Sequence, residues 1–215
     1  MTEVFVYVEG PSDQMSMREL FRDAIETAKM RGNIVDFSPM NGKEPLLVHG
    51  PTKAINILRN RPNSYVFLVP DLYPMNKPFP HTTFTEMKGF LLEIFVKELQ
   101  QKKVDNRIVN RFFVHCFKYD LEALILASEK ALLARLAKTQ ITQSWTKPAE
   151  NQNHHKPPKR IGETLFREVG QKYKDTADAP WILRRSSWKE LTEQCAQNFK
   201  PFVADLFAVL GMDFP

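Results

Sequence analysis

The chain has 215 residues, 43% of them hydrophobic and 26% charged, a length and balance that support one sizeable core and exclude disorder throughout. Its apolar runs, such as residues 4–8 and 123–127, fall far short of the ~20 residues that a membrane helix requires, and Thr2-Glu3 lacks the basic start of a signal peptide, so a cytoplasmic protein is expected. A net charge of +5 permits an anionic partner without specifying one.

Residues 4–8 predict a first strand. It runs into Glu9-Gly10-Pro11, a turn that Gly and Pro favour, and Ser12 or Asp13 then caps a helix over 14–30, with Met17, Leu20, Phe21, Ala24, Ile25 and Ala28 at helical spacing. Gly32-Asn33 stop that helix, 34–37 reads as a second strand, and 38–45 as a polar loop. Pro51 opens a helix that ends at Asn60. The next strand, 64–70, delivers Asp71 at its end. Residues 72–80, holding Pro74, Pro78 and Pro80, read as a loop. Thr83 or Thr85 then starts an amphipathic helix to Gln101 whose inward face is Met87, Phe90, Leu91, Ile94, Phe95 and Leu99. After a break at Asp105-Asn106, a strand over 111–117 ends at Lys118-Tyr119-Asp120, and a helix over 121–138 carries Glu122 in its first turn. Strands alternating with helices argue for an α/β fold with a mostly parallel sheet flanked by helices.

Residues 140–158 lack apolar periodicity apart from Trp145 and read as an exposed loop. From Lys138 to Arg160 five basic residues stand against one acid, Glu150. Helices are expected beyond it at 162–173, 187–194 and 199–210. The plan is an α/β domain over 1–138, a basic polar loop over 139–160, and a helical C-terminal region over 161–215 packed on the same core.

Glu9, Asp71 and Glu122 follow three successive strands, so a parallel sheet places them at one edge, with Asp13 and Asp120 near by. Clustered carboxylates without Cys or organised His select Mg²⁺ or Mn²⁺ over zinc, and such ions serve transfer at phosphate. Lys118, Lys159 and Arg160 are the cations placed to hold a phosphate backbone, and Lys156 lies in the same basic segment. The acids also have a structural reading, since Glu before Gly-Pro serves turns and an acid in the first turn of a helix complements its dipole.

These residues carry a resemblance. VYVEGPSD at 6–13 resembles the first motif of Toprim domains, and LVPDLYP at 68–74 stands where that fold places an Asp-x-Asp motif. FFVHCFKYDLEALILA at 112–127 resembles the third acidic motif of Toprim-like proteins grouped with the OLD-type nucleases, especially a family of uncharacterised bacterial proteins. PPKRI at 157–161 matches that family's Pro-x-Lys-Arg stretch, and Cys195 and Phe199 resemble its C-terminal pattern. The resemblance implies a Toprim-like (Rossmann-like) fold and a divalent-metal-dependent nuclease or phosphodiester hydrolase. In it Glu9 is a metal-linked acid or general acid/base, Asp71 a principal ligand of Mg²⁺ or Mn²⁺, Glu122 the acid of a second metal position, and Lys159 the residue contacting phosphate. It also implies DNA or RNA as substrate, an AAA- or ABC-type ATPase as partner, and a place in bacterial defence against phage; a homo-oligomer is left open. The chain departs from the Toprim pattern at Tyr73, where a second Asp is usual, and a phenol titrating at about 10 does not replace a carboxylate. The alternative is a non-catalytic module that binds nucleic acid or the ATPase, and a third reading is a small-molecule phosphohydrolase.

Cys116 and Cys195 lack CxxC spacing and read as buried free thiols. His49 and His81 read as solvated turn residues, and His154-His155 as part of a polar loop. Trp181, Arg184, Arg185 and Trp188 mix aromatic and basic groups, which fits an interhelix core with a basic rim on one helical face. Ser186 has no base partner in the sequence.

Overall fold

The structure, a computed structural model, describes residues 1–73, 81–152 and 155–214. Pro74, Pro78, Pro80 and His154 of the expected loops lie outside the described residues. Four strands, β1 (Glu3–Val8), β2 (Ile34–Pro39), β3 (Ser64–Val69) and β4 (Phe112–Val114), form an all-parallel sheet in the order β2-β1-β3-β4. Both faces are covered, which is why the central strands read as continuous apolar runs. The α/β fold expected from the alternation of strands and helices is the fold observed.

One face is packed by α3 (Lys43–Asn60) and α4 (Phe84–Gln101). Leu46, Leu47, Ala54, Ile55 and Leu58 from α3, and Met87, Leu91, Phe95 and Leu99 from α4, close over Tyr7, Val66 and Leu68. The helix expected to open at Pro51 begins eight residues earlier, after Gly42 at φ 128°. Pro51 therefore sits inside α3, at a local cost of about 3 kcal/mol. Packing outweighs that cost, because Leu46 and Leu47 share the buried face with Ala54, Ile55 and Leu58 across the proline. Gly50 fits the same contact: a Cβ there would lie 2.8 Å from Leu68 Cδ1. On α4 the apolar face is narrower than expected, with Phe90 exposed and Ile94 half-buried. Its start follows the predicted Thr83: the Thr83 hydroxyl accepts from Glu86 N at 3.2 Å, and Glu86 accepts in return from Thr83 N at 3.1 Å.

The other face carries α1 (Pro11–Leu20), α2 (Arg22–Met30) and the C-terminal helices. The single helix expected over 14–30 is interrupted at Phe21, whose ring is buried against Phe37, Phe199 and Phe202. Likewise the helix over 121–138 is two, α5 (Glu122–Ala127) and α6 (Glu129–Leu136), broken where the Ser128 hydroxyl donates to the Leu124 carbonyl at 2.8 Å. Then follow α7 (Pro158–Glu168), α8 (Asp175–Leu183), α9 (Trp188–Gln194) and α10 (Phe199–Leu210). Pro158 starts α7 four residues before the expected position, and α8 was absent from the sequence expectation. Trp181 lies on α8 and Trp188 on α9, so they do not share one helical face, although both pack against the core. Phe199, Phe202 and Phe207 of α10 are buried in the same cluster as Val4, Val6 and Phe67 of the sheet.

The segment expected to be an exposed loop is tied to the body: Ile141 and Trp145 pack against the core, and the Thr142 and Gln143 side chains donate to Glu168. Ala149–Asn151 forms a 3-10 turn, and Glu150 is buried there. Its carboxylate accepts from the backbone N–H groups of Gln197 (2.8 Å), Asn198 (2.9 Å) and Phe199 (3.2 Å). These are donors at the start of α10 that have no partner within the helix, so an acid in a polar loop serves as the cap of a distant helix. Both cysteines are buried free thiols, as expected. No described helix is long and apolar enough to cross a membrane.

Candidate active site

Strand order reverses between β1 and β3: the chain leaves β1 for β2 on one side, and β3 and β4 lie on the other. The C-terminal ends of β1 and β3 therefore open the crevice where α/β sheets place ligands. Glu9 directly follows β1. Val8 pairs with Val69, which puts Asp71 beside it, and the Asp71 N–H donates to Glu9 Oε1 at 2.9 Å. Beyond β4 the chain stays alongside β3, through the Asp71–Phe117 bridge and the Leu72 N–H to Phe117 carbonyl bond at 2.8 Å. That continuation delivers Asp120 and Glu122.

Each acid is desolvated. Burial pushes Glu9 from the ordinary 4.5 up to about 7, against the lowering influence of the Asp71 N–H and Lys43. Burial also holds Asp71 well above the usual carboxylate range, reinforced by the negative charges of Glu9, Asp13, Asp120 and Glu122. Asp120 is raised in the same way by burial and by Glu122. Glu122, buried, is raised by desolvation while Lys159 opposes the shift; the Tyr173 hydroxyl donates to its Oε1 at 3.1 Å. Asp13 accepts from the Gly10 N–H at 2.8 Å across the first turn of α1, and burial raises it too. The five acids picked from sequence thus form one electrostatically linked group.

Lys159, at the start of α7, reaches them: its Nζ lies 4.0 Å from Glu122 Oε1 and 3.3 Å from Asp175 Oδ2. Burial disfavours its charge, but Glu122 and Asp175 outweigh that and raise its pKa. The other expected cations are placed differently. Lys118 Nζ donates to Gln197 Oε1 at 2.8 Å, and Lys156 Nζ to the Ser144 carbonyl at 3.1 Å. Arg160 is exposed on α7. Three residues escaped the sequence reading. Tyr173 comes from the α7–α8 connection and Asp175 is the first residue of α8, and no local pattern marks either. Lys43, at the start of α3, donates from Nζ to the Leu72 carbonyl at 3.0 Å; burial lowers its pKa while Glu9 and Asp71 raise it.

Tyr73 is stacked on Tyr119 with ring centroids 4.4 Å apart, and its hydroxyl donates to the Thr82 carbonyl at 3.0 Å. His81, expected in solvent, is buried with Nε2 3.0 Å from the carbonyl oxygen of Leu72, the residue after Asp71. His49 is exposed, on α3 and not in a turn.

The donor set fits a hard divalent cation: it is all oxygen, and two buried carboxylate oxygens, Asp71 Oδ1 and Asp120 Oδ1, make no hydrogen bond. Among the described residues no three His, Cys, Asp or Glu side chains form a ready ligand set. An ion held here would rest on one or two carboxylates and fill its remaining positions with water and phosphate oxygens, which is the habit of Mg²⁺.

The sequence model of a family described as "Domain of unknown function (DUF4276)" matches residues 8–206. Among curated proteins none matches the chain. Among solved structures, the C-terminal region of the Burkholderia pseudomallei OLD protein is similar over 97% of this chain and 99% of its own, with 14% identity and a TM-score of 0.50. The C-terminal region of the Xanthomonas campestris pv. campestris OLD protein covers 95% of this chain and 97% of its own, with 10% identity and a TM-score of 0.44. The likeness to the first is one of fold: a parallel sheet flanked by helices.

Proposed function

This chain belongs to the family described as a domain of unknown function (DUF4276), and we propose that it is a divalent-metal-dependent hydrolase of phosphodiester bonds in nucleic acid. The observation that carries the reading is the pair of buried carboxylate oxygens without hydrogen bonds, Asp71 Oδ1 and Asp120 Oδ1, at the switch point of a parallel sheet. Buried polar atoms are nearly always satisfied. Two orphans on neighbouring acids are accounted for by a cation.

Asp71 and Asp120 would hold Mg²⁺ or Mn²⁺, with Glu122 beside them. When bound, such an ion polarises a phosphoryl oxygen and lowers the pKa of its water. The chain's own residues supply the rest. Glu9, with its pKa raised to about 7, is matched to proton transfer near neutrality. It takes the proton from the attacking water as the new P–O bond forms and returns it to the leaving oxygen as the old bond breaks. Lys159 balances charge growing on the phosphoryl oxygens, and Tyr173 keeps Glu122 in place.

The substrate polymer, DNA or RNA, an ATPase partner of the AAA or ABC type, and a role in defence against phage belong to the same proposal and rest on the motif resemblance. The test is incubation of the purified protein with DNA and RNA in Mg²⁺ or Mn²⁺, alone and with the neighbouring ATPase where one is encoded. Cleavage lost in both Glu9→Gln and Asp71→Asn supports hydrolysis. Binding without cleavage, unchanged in both variants, supports a non-catalytic module instead. That second reading is favoured by Tyr73, which stacks on Tyr119 where the related motif has an acid.

A further inference from the structure

Lys159 meets three acids of the group at once. Its backbone N–H donates to Asp120 Oδ2 at 3.4 Å, its Nζ donates to Asp175 Oδ2 at 3.3 Å, and the same Nζ lies 4.0 Å from Glu122 Oε1. The residue before it, Pro158, opens α7, so the lysine enters the row from the first turn of that helix. Its partners come from two other elements. Asp120 and Glu122 belong to the turn into α5, and Asp175 is the first residue of α8.

Both carboxylates that face the ammonium are also held by groups other than the lysine. Glu122 Oε1 accepts from the Tyr173 hydroxyl at 3.1 Å, and the Tyr173 ring is buried against Phe166 with centroids 5.1 Å apart. Asp175 Oδ1 accepts from the Thr176 N–H at 2.8 Å, while Oδ2 takes the ammonium. A tie serving only to join α7 to α8 needs Asp175 alone, yet this ammonium is shared with the buried Glu122. One positive charge shared between two acids is the office of an ion in a two-metal site, and lysine brings it as a compact point charge. The two orphan oxygens of the row, Asp71 Oδ1 and Asp120 Oδ1, are on different acids from the pair that shares Lys159. An ion taken by those oxygens repels the ammonium and any further ion beside it, and does so strongly in a desolvated crevice.

We propose that Lys159 supplies the second positive charge of the site in place of a second divalent ion, so that this chain takes one Mg²⁺ or Mn²⁺ and not two. This rests on the reading of the carboxylate row as a divalent-cation site. Glu122, expected from the motif resemblance to serve a second metal position, is on this account the counter-ion of a lysine.

The experiment counts Mn²⁺ bound per full chain at pH 8, from the electron paramagnetic resonance of the free ion during titration. The wild type is expected to bind one ion, and Lys159→Met, which removes the charge and keeps most of the side chain's bulk, two. Lys159→Arg keeps the charge and should stay at one. Combining Lys159→Met with Asp175→Asn should return the count to one, because the added ion is held where the ammonium was. Circular dichroism confirms that each variant is folded; if Lys159→Met is not, Lys159→Gln replaces it with the same expectation. An equal count of one in the wild type and Lys159→Met, two ions in the wild type, or a second ion that persists without Asp175 overturns the inference and leaves the hydrolase reading standing. No ion in the wild type overturns both. One ion in the wild type and two in Lys159→Met, with no cleavage of DNA or RNA, keeps this inference and sinks the hydrolase reading.

Discussion

The main-chain N–H of Asp71 donates to the side chain of Glu9 at 2.9 Å, so two acids at neighbouring strand ends are held together by the backbone of the sheet. Their spacing is built into the register in which Val8 faces Val69. The fold supplies the proximity, and like-charge repulsion is then met by protons or by a cation.

Removing one of those charges should stabilise the protein while ending the proposed hydrolysis. Asp71 is held well above the usual carboxylate range by burial and by four acidic neighbours, so an ionised Asp71 is unfavourable in the folded state. Asp71→Asn is therefore expected to raise stability at pH 8 and to raise Tm. Thermal denaturation at pH 8 and pH 5 checks it. As pH falls more of the wild-type acid is protonated, and the advantage of the variant should shrink; a variant less stable than wild type at both pH values contradicts the argument.

The pH dependence of the wild type follows with a definite sign. Glu9 titrates at about 7 in the folded protein against an ordinary 4.5. Between those values the folded state binds more protons than the unfolded state, so stability falls as pH rises through the window and levels off above it. Urea unfolding from pH 4.5 to 8 should show this decline, flattened in Glu9→Gln. If the proposed site holds Mn²⁺ on deprotonated carboxylates, the ion should recover stability at pH 8 much more than at pH 5. Equal Mn²⁺ effects at both pH values would place the ion elsewhere.

Glu150 should matter to stability although it lies outside the candidate site. Its carboxylate takes three backbone N–H groups at the start of α10, and α10 packs Phe199, Phe202 and Phe207 into the core. Glu150→Ala leaves those donors unpaired, two of them in buried bonds, and is expected to cost about 2–3 kcal/mol, with Glu150→Gln recovering part through its carbonyl oxygen. The midpoint of urea denaturation, at unchanged m-value, measures this; a change below about 0.5 kcal/mol, the usual range of surface substitutions, would mean that water replaces the carboxylate.

Much of the sheet was readable because β1 and β3 are buried on both faces, and the composition of such strands is unmistakable. The acids that close them were readable for the same reason: an acid after an unbroken apolar run has a definite place in a parallel sheet. Lys43 was not, because Pro51 marks a helix start by every local rule, and only the packing of Leu46 and Leu47 beside Ala54 and Ile55 extends α3 back to it. Tyr173 lies between two short helices and Asp175 opens the second, with no periodicity to point at them. Glu150 was one acid in a polar segment, and its importance comes from the start of a helix 47 residues or more away.

The sequence by itself determined the fold class and the row of carboxylates, since both follow from short-range patterns: apolar runs, turn residues and the acids at their ends. Tertiary structure alone decided which lysines face that row, that Tyr73 stacks on Tyr119, and that Glu122 receives a hydrogen bond from Tyr173. Those contacts join segments that share no local pattern, and burial, which shifts every acid in the group, exists only once the helices have closed over the sheet.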